Sequence, residues 1–507
     1  MDDSLWRSKR RIALNSLFST AAWLTPLIVG FVSTPILVNG LGTAEYGIYA
    51  LIAGFISYSF SFSVGRIVVR YVAEYSLSAN EAAINQIVST ALLIAMAVGV
   101  FGGLILAILA PYIVSEVLRI DPQYRQLAVP AFYIANATII SVILSQVFQY
   151  TLQGFQRFGR YVFFSNLFSV LFGFGNIVLV KSGFGIFALL LWGLILNVSL
   201  LIGNLVSVKA VFPQFRFTLS IDSGILRSAV RYSMSIIFYQ IFGNLLFIFE
   251  RVWVTRHFGP SAMAYFAVSA LPGIYVQTLA ASLAAVFLPV MSRSIQETAM
   301  LNAIYRRASK ILLAGLLFFL IAVIFLGDRL LAIWIGPGFA EDAYSLLVLQ
   351  AMSYGLISLM VIVWQLNEAA KAPGLNTLIS ALWLAVTFLA VIFLTDRFGV
   401  EAVAWGRLIG VAITLPVIFF SESRFLGRTN FAFWVGSILR LGIPVAVVSL
   451  LFHLLGNFTV SFAYLSIVGF LGLLLYSILA IGCGYFSRSE LSDLFVLRTI
   501  SGKRGVA

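Results

Sequence analysis

The segment GTAEYGIYAL, residues 42–51, returns 217 residues later as GPSAMAYFAV, residues 259–268. Gly42 falls on Gly259, Ile48 on Tyr265, Tyr49 on Phe266 and Ala50 on Ala267. Each copy lies between two long apolar runs, with its glycine at the turn. Two further segments repeat in the same order. Residues 116–126 answer 333–343, and GIFALLLWG at 185–193 answers GVEAVAWG at 399–406. Ordered similarity at a nearly fixed period marks a duplicated unit.

Those apolar runs decide the class. Of 507 residues, 61% are hydrophobic and 10% charged, against about 25% charged in a soluble domain. Such a chain cannot cover a water-facing surface. Its runs reach about 20 residues, the length a helix needs to cross a bilayer, whereas spanning strands are shorter and alternate. The reading is an all-α polytopic membrane protein with fourteen spans. They fall at 13–38, 46–69, 84–110, 126–152, 161–180, 185–208, 232–255, 262–290, 309–326, 343–366, 375–395, 400–421, 434–455 and 461–486. The first is expected to be a retained helix, being too long for a signal peptide. The repeat then makes spans 1–6 and 7–12 two versions of one six-helix unit. An even number of helices gives both copies the same orientation, a parallel pseudo-twofold repeat. The expected divisions are 1–208, 209–424 and an added pair of spans with a tail at 425–507.

Lys and Arg set the orientation. With both termini inside, the cytoplasmic side holds 24 of them, counting Arg66, Lys310 and Arg440 near inner span ends, and the external loops hold six: Arg119, Arg125, Lys181, Arg256, Arg329 and Arg397. Cytoplasmic termini follow from the positive-inside rule, and a cell inner membrane is the expected location. The formal net charge of +13 is then mostly topology. Its cations are scattered over eight short segments rather than gathered in one patch, which argues against nucleic-acid binding. The single Cys483 excludes an intramolecular disulfide, and with two histidines far apart there is no metal-binding cluster. Nucleotide-loop, zincin, nucleophile-elbow and dithiol motifs are missing. The expectation is a transporter without cofactor or metal, not an enzyme.

Charges inside spans carry the most information, because placing one at mid-bilayer costs roughly 2.5–3.5 kcal/mol on insertion scales. Arg407 lies about 10 Å inside its span at 1.5 Å per residue, with no acid one turn away. It must snorkel, find a partner on another helix or face a water-filled cavity. Should it have a buried carboxylate partner, Glu250 is the first to test. Glu250 and Arg251 close span seven near its outer boundary. Upstream, Gln240 and Asn244 share a helical face with Arg251, a face that binds another helix as readily as a substrate. Ser59, Ser63, Arg66 and Arg70 form a second stripe in span two. It either reaches cytoplasmic headgroups or lines an inward-facing cationic surface. Asn136, Gln146, Gln149, Asn176, Asn197, Asn204 and Gln277 add polar surface without naming a ligand.

LGTAEYGIYAL (41–51), VGRIVVRYVAEY (64–75), LQGFQRFGRY (152–161), FERVWVTRHFGPSAMAYFAV (249–268) and FLPVMSRS (287–294) resemble the polysaccharide flippases. These are the O-antigen and repeat-unit exporters of the multidrug/oligosaccharidyl-lipid/polysaccharide (MOP) superfamily. The resemblance implies two six-helix lobes in a V around a central cavity, as in multidrug and toxin extrusion (MATE) transporters, with alternating access. It implies a polyprenyl-diphosphate-linked oligosaccharide as cargo, for polysaccharide or lipopolysaccharide biosynthesis. Arg66, Arg70, Gln240, Asn244, Arg251 and Arg407 become the candidates for the cavity. Membrane lipids and glycan assembly proteins are the implied partners, with a monomer as the working unit. Drug-exporting relatives commonly couple to cations through an acid in the first helix. Residues 13–37 contain none, which leaves Glu250 as the intramembrane carboxylate for any ion coupling. A cation-coupled multidrug exporter of the same fold and a membrane-embedded glycan polymerase remain the alternatives.

Overall fold

The computed structural model describes residues 24–58, 64–78, 80–219, 223–456, 458, 461–486 and 490. Both ends of the chain, with the first half of the expected first span, lie outside the described residues. So do Ser59, Ser63 and the side chain of Arg66.

Among the described residues the secondary structure is entirely helical. In chain order the helices are α1 (Leu24–Leu41), α2 (Thr43–Tyr58), α3 (Val64–Leu77), α4 (Glu81–Tyr112), α5 (Pro122–Gly154), α6 (Phe158–Lys181) and α7 (Ile186–Val211). They continue as α8 (Ser223–Arg293), α9 (Thr298–Trp334), α10 (Pro337–Ala369), α11 (Gly374–Phe398), α12 (Glu401–Thr414), α13 (Pro416–Leu426), α14 (Phe431–Gly456) and α15 (Phe462–Gly482). Among the described residues, twelve stretches are long and apolar enough to cross a bilayer. One of them, 56 residues long, holds expected spans seven and eight. Expected span two is represented by α2 and α3, on either side of residues outside the description. The fold is that of an all-α polytopic membrane protein.

Two expectations about boundaries need correction. The turn between spans seven and eight is a single residue: α8 runs through it, broken at Gly259 with φ 81° and ψ 178°. A glycine tolerates that conformation without a Cβ clash. The helices also outrun their apolar cores. Span nine, expected at 309–326, is part of a 37-residue helix whose turns before that stretch carry Asn302, Arg306 and Arg307. Hydropathy reports the lipid-facing stretch, whereas backbone hydrogen bonding continues into the polar turns beyond it.

The duplication is written in the backbone as well. Gly42 has φ 79° against 81° at Gly259, and Arg119 has φ 51° where Gly336, 217 residues on, has φ 149°. Gln156 (φ 56°) answers Lys371 (φ 57°), and Gly183 (φ 82°) answers Gly399 (φ 56°). Eight of the ten described residues with positive φ thus form four pairs at offsets between 215 and 217. Positive φ is uncommon outside glycine, so the match of Gln156 with Lys371 reflects shared loop geometry, whereas Arg119 and Gly336 share only the sign of φ.

The chain forms two compact units. One comprises residues up to 271 with 372–414, and the other 272–371 with residues from 415 onward. In the first, α5 packs on α2, α3, α4 and α7, and α11 packs on α12. Lipid tails are as apolar as leucine, so small residues that permit close approach govern such packing. The sequence GRLIG in α12 is a Gly-xxx-Gly step: a Cβ at Gly406 would overlap Val391, and one at Gly410 would overlap Thr387 and Trp383. Gly154 of α5 lies on Val72 of α3 in the same way. In the second unit α9 packs on α10, α14 and α15, and α10 on α13.

Candidate functional site

The Gly-xxx-Gly step brings α12 against α11 and turns Arg407, between the two glycines, toward α8. Arg407 is 1% exposed and Glu250 is fully buried. The guanidinium Nε donates to Glu250 Oε1 at 2.8 Å, and Nη2 donates to Oε2. This is the fork-on-fork geometry that suits arginine to carboxylates. Phe247 and Phe266 hold their rings 5.2 and 5.5 Å from the guanidinium carbon, within cation–π range. Of the three outcomes open to Arg407, the structure shows the partner on another helix. The residue is not open to water here, and Glu250 is its counter-ion.

Arg251, the next residue, faces a different neighbour. It is 8% exposed, and a Cβ added to Gly54 of α2 would overlap its Nε and Cδ. Its Nη1 also donates to the Phe247 carbonyl at 3.2 Å. Gln240 and Asn244 are half-buried on the same helix, and Gln240 Oε1 is buried without a hydrogen bond. Arg70 is exposed midway along α3, with its guanidinium 5.7 Å from the Tyr71 ring. Glu250 and Arg407 are thus paired, with Arg251 the next residue along α8.

The two copies of the repeated segment meet in this unit. A Cβ on Gly47 would overlap the Pro260 carbonyl oxygen, and Thr43 Oγ1 donates to Ser261 Oγ at 3.4 Å. Beyond α4 the chain makes a π-helical turn, Ile113–Val117, whose last carbonyls lack helical partners. Arg256 Nη1 donates to two of them, Glu116 at 2.7 Å and Val117 at 2.8 Å. Trp253 Nε1 adds a bond to Thr395 Oγ1 at 2.9 Å. These contacts join α2 and the turn after α4 to α8 and α11.

Away from these charges, α2, α5, α6 and α7 enclose a cavity of about 330 Å³. Its polar lining is Tyr49, Ser57, Thr138, Gln146 and Asn197, and Phe168 and Phe172 line it among aliphatic side chains. Their rings stack at 5.7 Å, one helical turn apart. A pocket of about 30 Å³ adjoins it through Ile143 and Gln146. No Asp, Glu, Lys or Arg is among the lining residues of either. Tyr49 Oη accepts from Asn176 Nδ2 at 3.4 Å. Gln146 and Asn197 were visible in the sequence only as scattered polar residues. Tyr49 was visible as part of the repeat, but nothing in the sequence marked it as cavity-lining. Among the described residues no group of three His, Cys, Asp or Glu could hold a metal ion.

Comparison with known proteins extends this picture. Residues 36–343 match the family model of polysaccharide biosynthesis proteins. No curated protein matches the chain by sequence. Among solved structures, the lipid II flippase MurJ in an inward closed conformation is similar at a TM-score of 0.71 and 14% identity. That match covers 96% of this chain and 99% of MurJ. An inward-facing multidrug resistance MATE family transporter of the MOP superfamily gives a TM-score of 0.61 at 15% identity, covering 81% of this chain and 94% of its own. A mutant of the Vibrio cholerae MATE transporter VcmN gives 0.59 at 15% identity, covering 83% and 97%. The fold is therefore shared with MurJ and the MATE transporters. With more than half of its length matched by the family model, the chain belongs to the polysaccharide biosynthesis protein family.

Proposed function

We propose that this protein is a flippase that moves a polyprenyl-diphosphate-linked oligosaccharide from the cytoplasmic to the outer leaflet by alternating access. The observation that carries the reading is coverage. The MurJ fold accounts for 96% of the chain, whereas the two MATE folds account for 81% and 83% although nearly all of each is used. The family match to polysaccharide biosynthesis supports the cargo class. The expected organisation is a lobe at 1–208, a second at 209–424 and an added pair of helices at 425–507.

The chemistry of such a cargo suits the residues available. Guanidinium groups form bidentate bonds to phosphate oxygens, and Arg66, Arg70 and Arg251 are the cations proposed for the diphosphate. Gln240 and Asn244 offer amides to sugar hydroxyls. Arg407 is withdrawn from that list while its fork is filled by Glu250. That same pairing weighs against Glu250 as an ion-coupling acid, and hence against a cation-coupled drug exporter.

The reading places the protein in the cell inner membrane, working as a monomer alongside glycan assembly proteins, with cytoplasmic termini. Cells lacking it should accumulate single repeat units on the lipid carrier, facing inward. Normal delivery of those units to the outer leaflet, in a strain without a redundant flippase, would refute the assignment. Orientation has its own check. In a Cys483→Ala background, an impermeant thiol reagent applied to intact cells should label Thr43→Cys and Ser261→Cys, but not Ser4→Cys or Ser501→Cys.

A further inference from the structure

The uncharged cavity of the first unit has a chemistry of its own. A diphosphate carries charge that must be paired when it leaves water, and no cation is among the lining residues. A cationic dye would find no acid to pair with, since none lines the cavity. A purely apolar occupant such as a polyprenyl segment would fill the space but would leave its polar groups unmatched. Gln146 has no hydrogen-bond partner among the described residues and faces both the large cavity and the small pocket. Asn197 spends an N–H on the Gly193 carbonyl at 2.8 Å, which leaves its side-chain oxygen free to accept. Covering such groups without replacing their hydrogen bonds costs about 1–3 kcal/mol each.

The ligand that fits is uncharged, has apolar faces and carries hydrogen-bonding groups around its edge. A sugar ring has that pattern: C–H faces to lie on Phe168 and Phe172, hydroxyls to reach Gln146, Asn197 and Tyr49. At about 330 Å³ the cavity stands at the small end of the ligand-pocket range of roughly 300–1,000 Å³. It suits one compact group and not a whole oligosaccharide. We infer that this cavity is a subsite for one uncharged sugar ring, separate from the cations that meet the diphosphate. The inference rests on the flippase reading and adds that the protein distinguishes a glycosylated carrier from a bare one.

The test uses full-length protein in lipid nanodiscs, with an uncharged-sugar oligosaccharide on polyprenyl diphosphate and the same polyprenyl diphosphate without sugar. The wild type should bind the glycosylated carrier more tightly. Gln146→Leu removes the amide at similar volume and should weaken that binding about tenfold, the upper range for one lost hydrogen bond, while leaving the bare carrier unchanged. Should Gln146→Leu fail to yield monodisperse protein, Tyr49→Phe removes one hydroxyl and should weaken only the glycosylated carrier, by a few fold. Equal wild-type affinity for the two carriers would overturn the sugar subsite and leave the flippase reading standing. Equal weakening of both carriers by the variants, or weakening of neither, would overturn it too. Binding of neither carrier by the wild type would instead count against the flippase reading itself.

Discussion

Glu250 and Glu422 are both fully buried carboxylates, and the protein satisfies them in opposite ways. Glu250 lies well inside α8, where every nearby backbone amide is already used by the helix. Its charge is met by another charge, the guanidinium of Arg407. Glu422 lies one turn before the end of α13, against the start of α14. It accepts the Asn430 backbone N–H at 2.7 Å and Trp434 Nε1 at 2.8 Å. The first amides of a helix have no partner within it and form the positive end of its dipole. Asn430 is further tied to α9 through Asn302, at 2.9 Å. Position along a helix therefore decides the partner: a helix start can hold a carboxylate with neutral donors, and a helix interior needs a cation.

The largest break in this comparison is Arg407→Ala. It leaves Glu250 buried and unpaired, and should cost about 3–5 kcal/mol. The readout is the yield and melting temperature of monodisperse protein. Arg407→Ala combined with Glu250→Gln should recover much of the loss, since a neutral amide is far cheaper to bury than a charge. Equal instability of the single and double variants would mean that the pair is not what holds the site.

Next comes Gly410→Leu. Its side chain would overlap Thr387 and Trp383 on α11, push α12 away and displace Arg407 from Glu250. Overpacking of this kind costs about 1–3 kcal/mol. Gly436→Leu, at a position where an added Cβ meets nothing within 4 Å, is the control and should leave the melting temperature nearly unchanged.

Glu422→Gln sharpens the contrast. The amide retains one acceptor oxygen for two donors, so a loss of about 1–2 kcal/mol is expected, smaller than for Arg407→Ala. The smallest effect belongs to Trp434→Phe, which removes one donor and should cost about 1 kcal/mol. A double-mutant cycle between Glu422 and Trp434 should then give a coupling well below that between Glu250 and Arg407. Equal couplings would erase the distinction drawn here.

What the sequence disclosed follows the same physics. Hydropathy and the low charged fraction revealed the helical membrane fold, because lipid forbids exposed backbone polar groups and leaves few alternatives. The repeat was legible through its glycines, and the backbone bears it out at Gly42 and Gly259. Arg407 and Glu250 stood out because charges within spans are rare, but sequence alone could not pair two residues 157 positions apart. The tightness of the turn at Gly259 was hidden, because a single residue with non-helical φ and ψ separates the two helices. The cavity around Tyr49, Gln146 and Asn197 was hidden for another reason: uncharged polar residues in a membrane helix serve packing and binding alike. Glu422 lay close to an expected loop, where a carboxylate attracts no notice.

The central claim is that the protein carries a lipid-linked glycan across the bilayer. Its most direct test is reconstitution of the purified protein into vesicles holding a fluorescently labelled polyprenyl-diphosphate oligosaccharide, with the label quenched from one side. The account predicts that labelled cargo crosses between leaflets faster than in protein-free vesicles. It also predicts that Arg251→Ala slows the crossing while monodisperse protein is still obtained. Cargo crossing only at the protein-free rate, in vesicles whose protein moves a cationic dye, would contradict it.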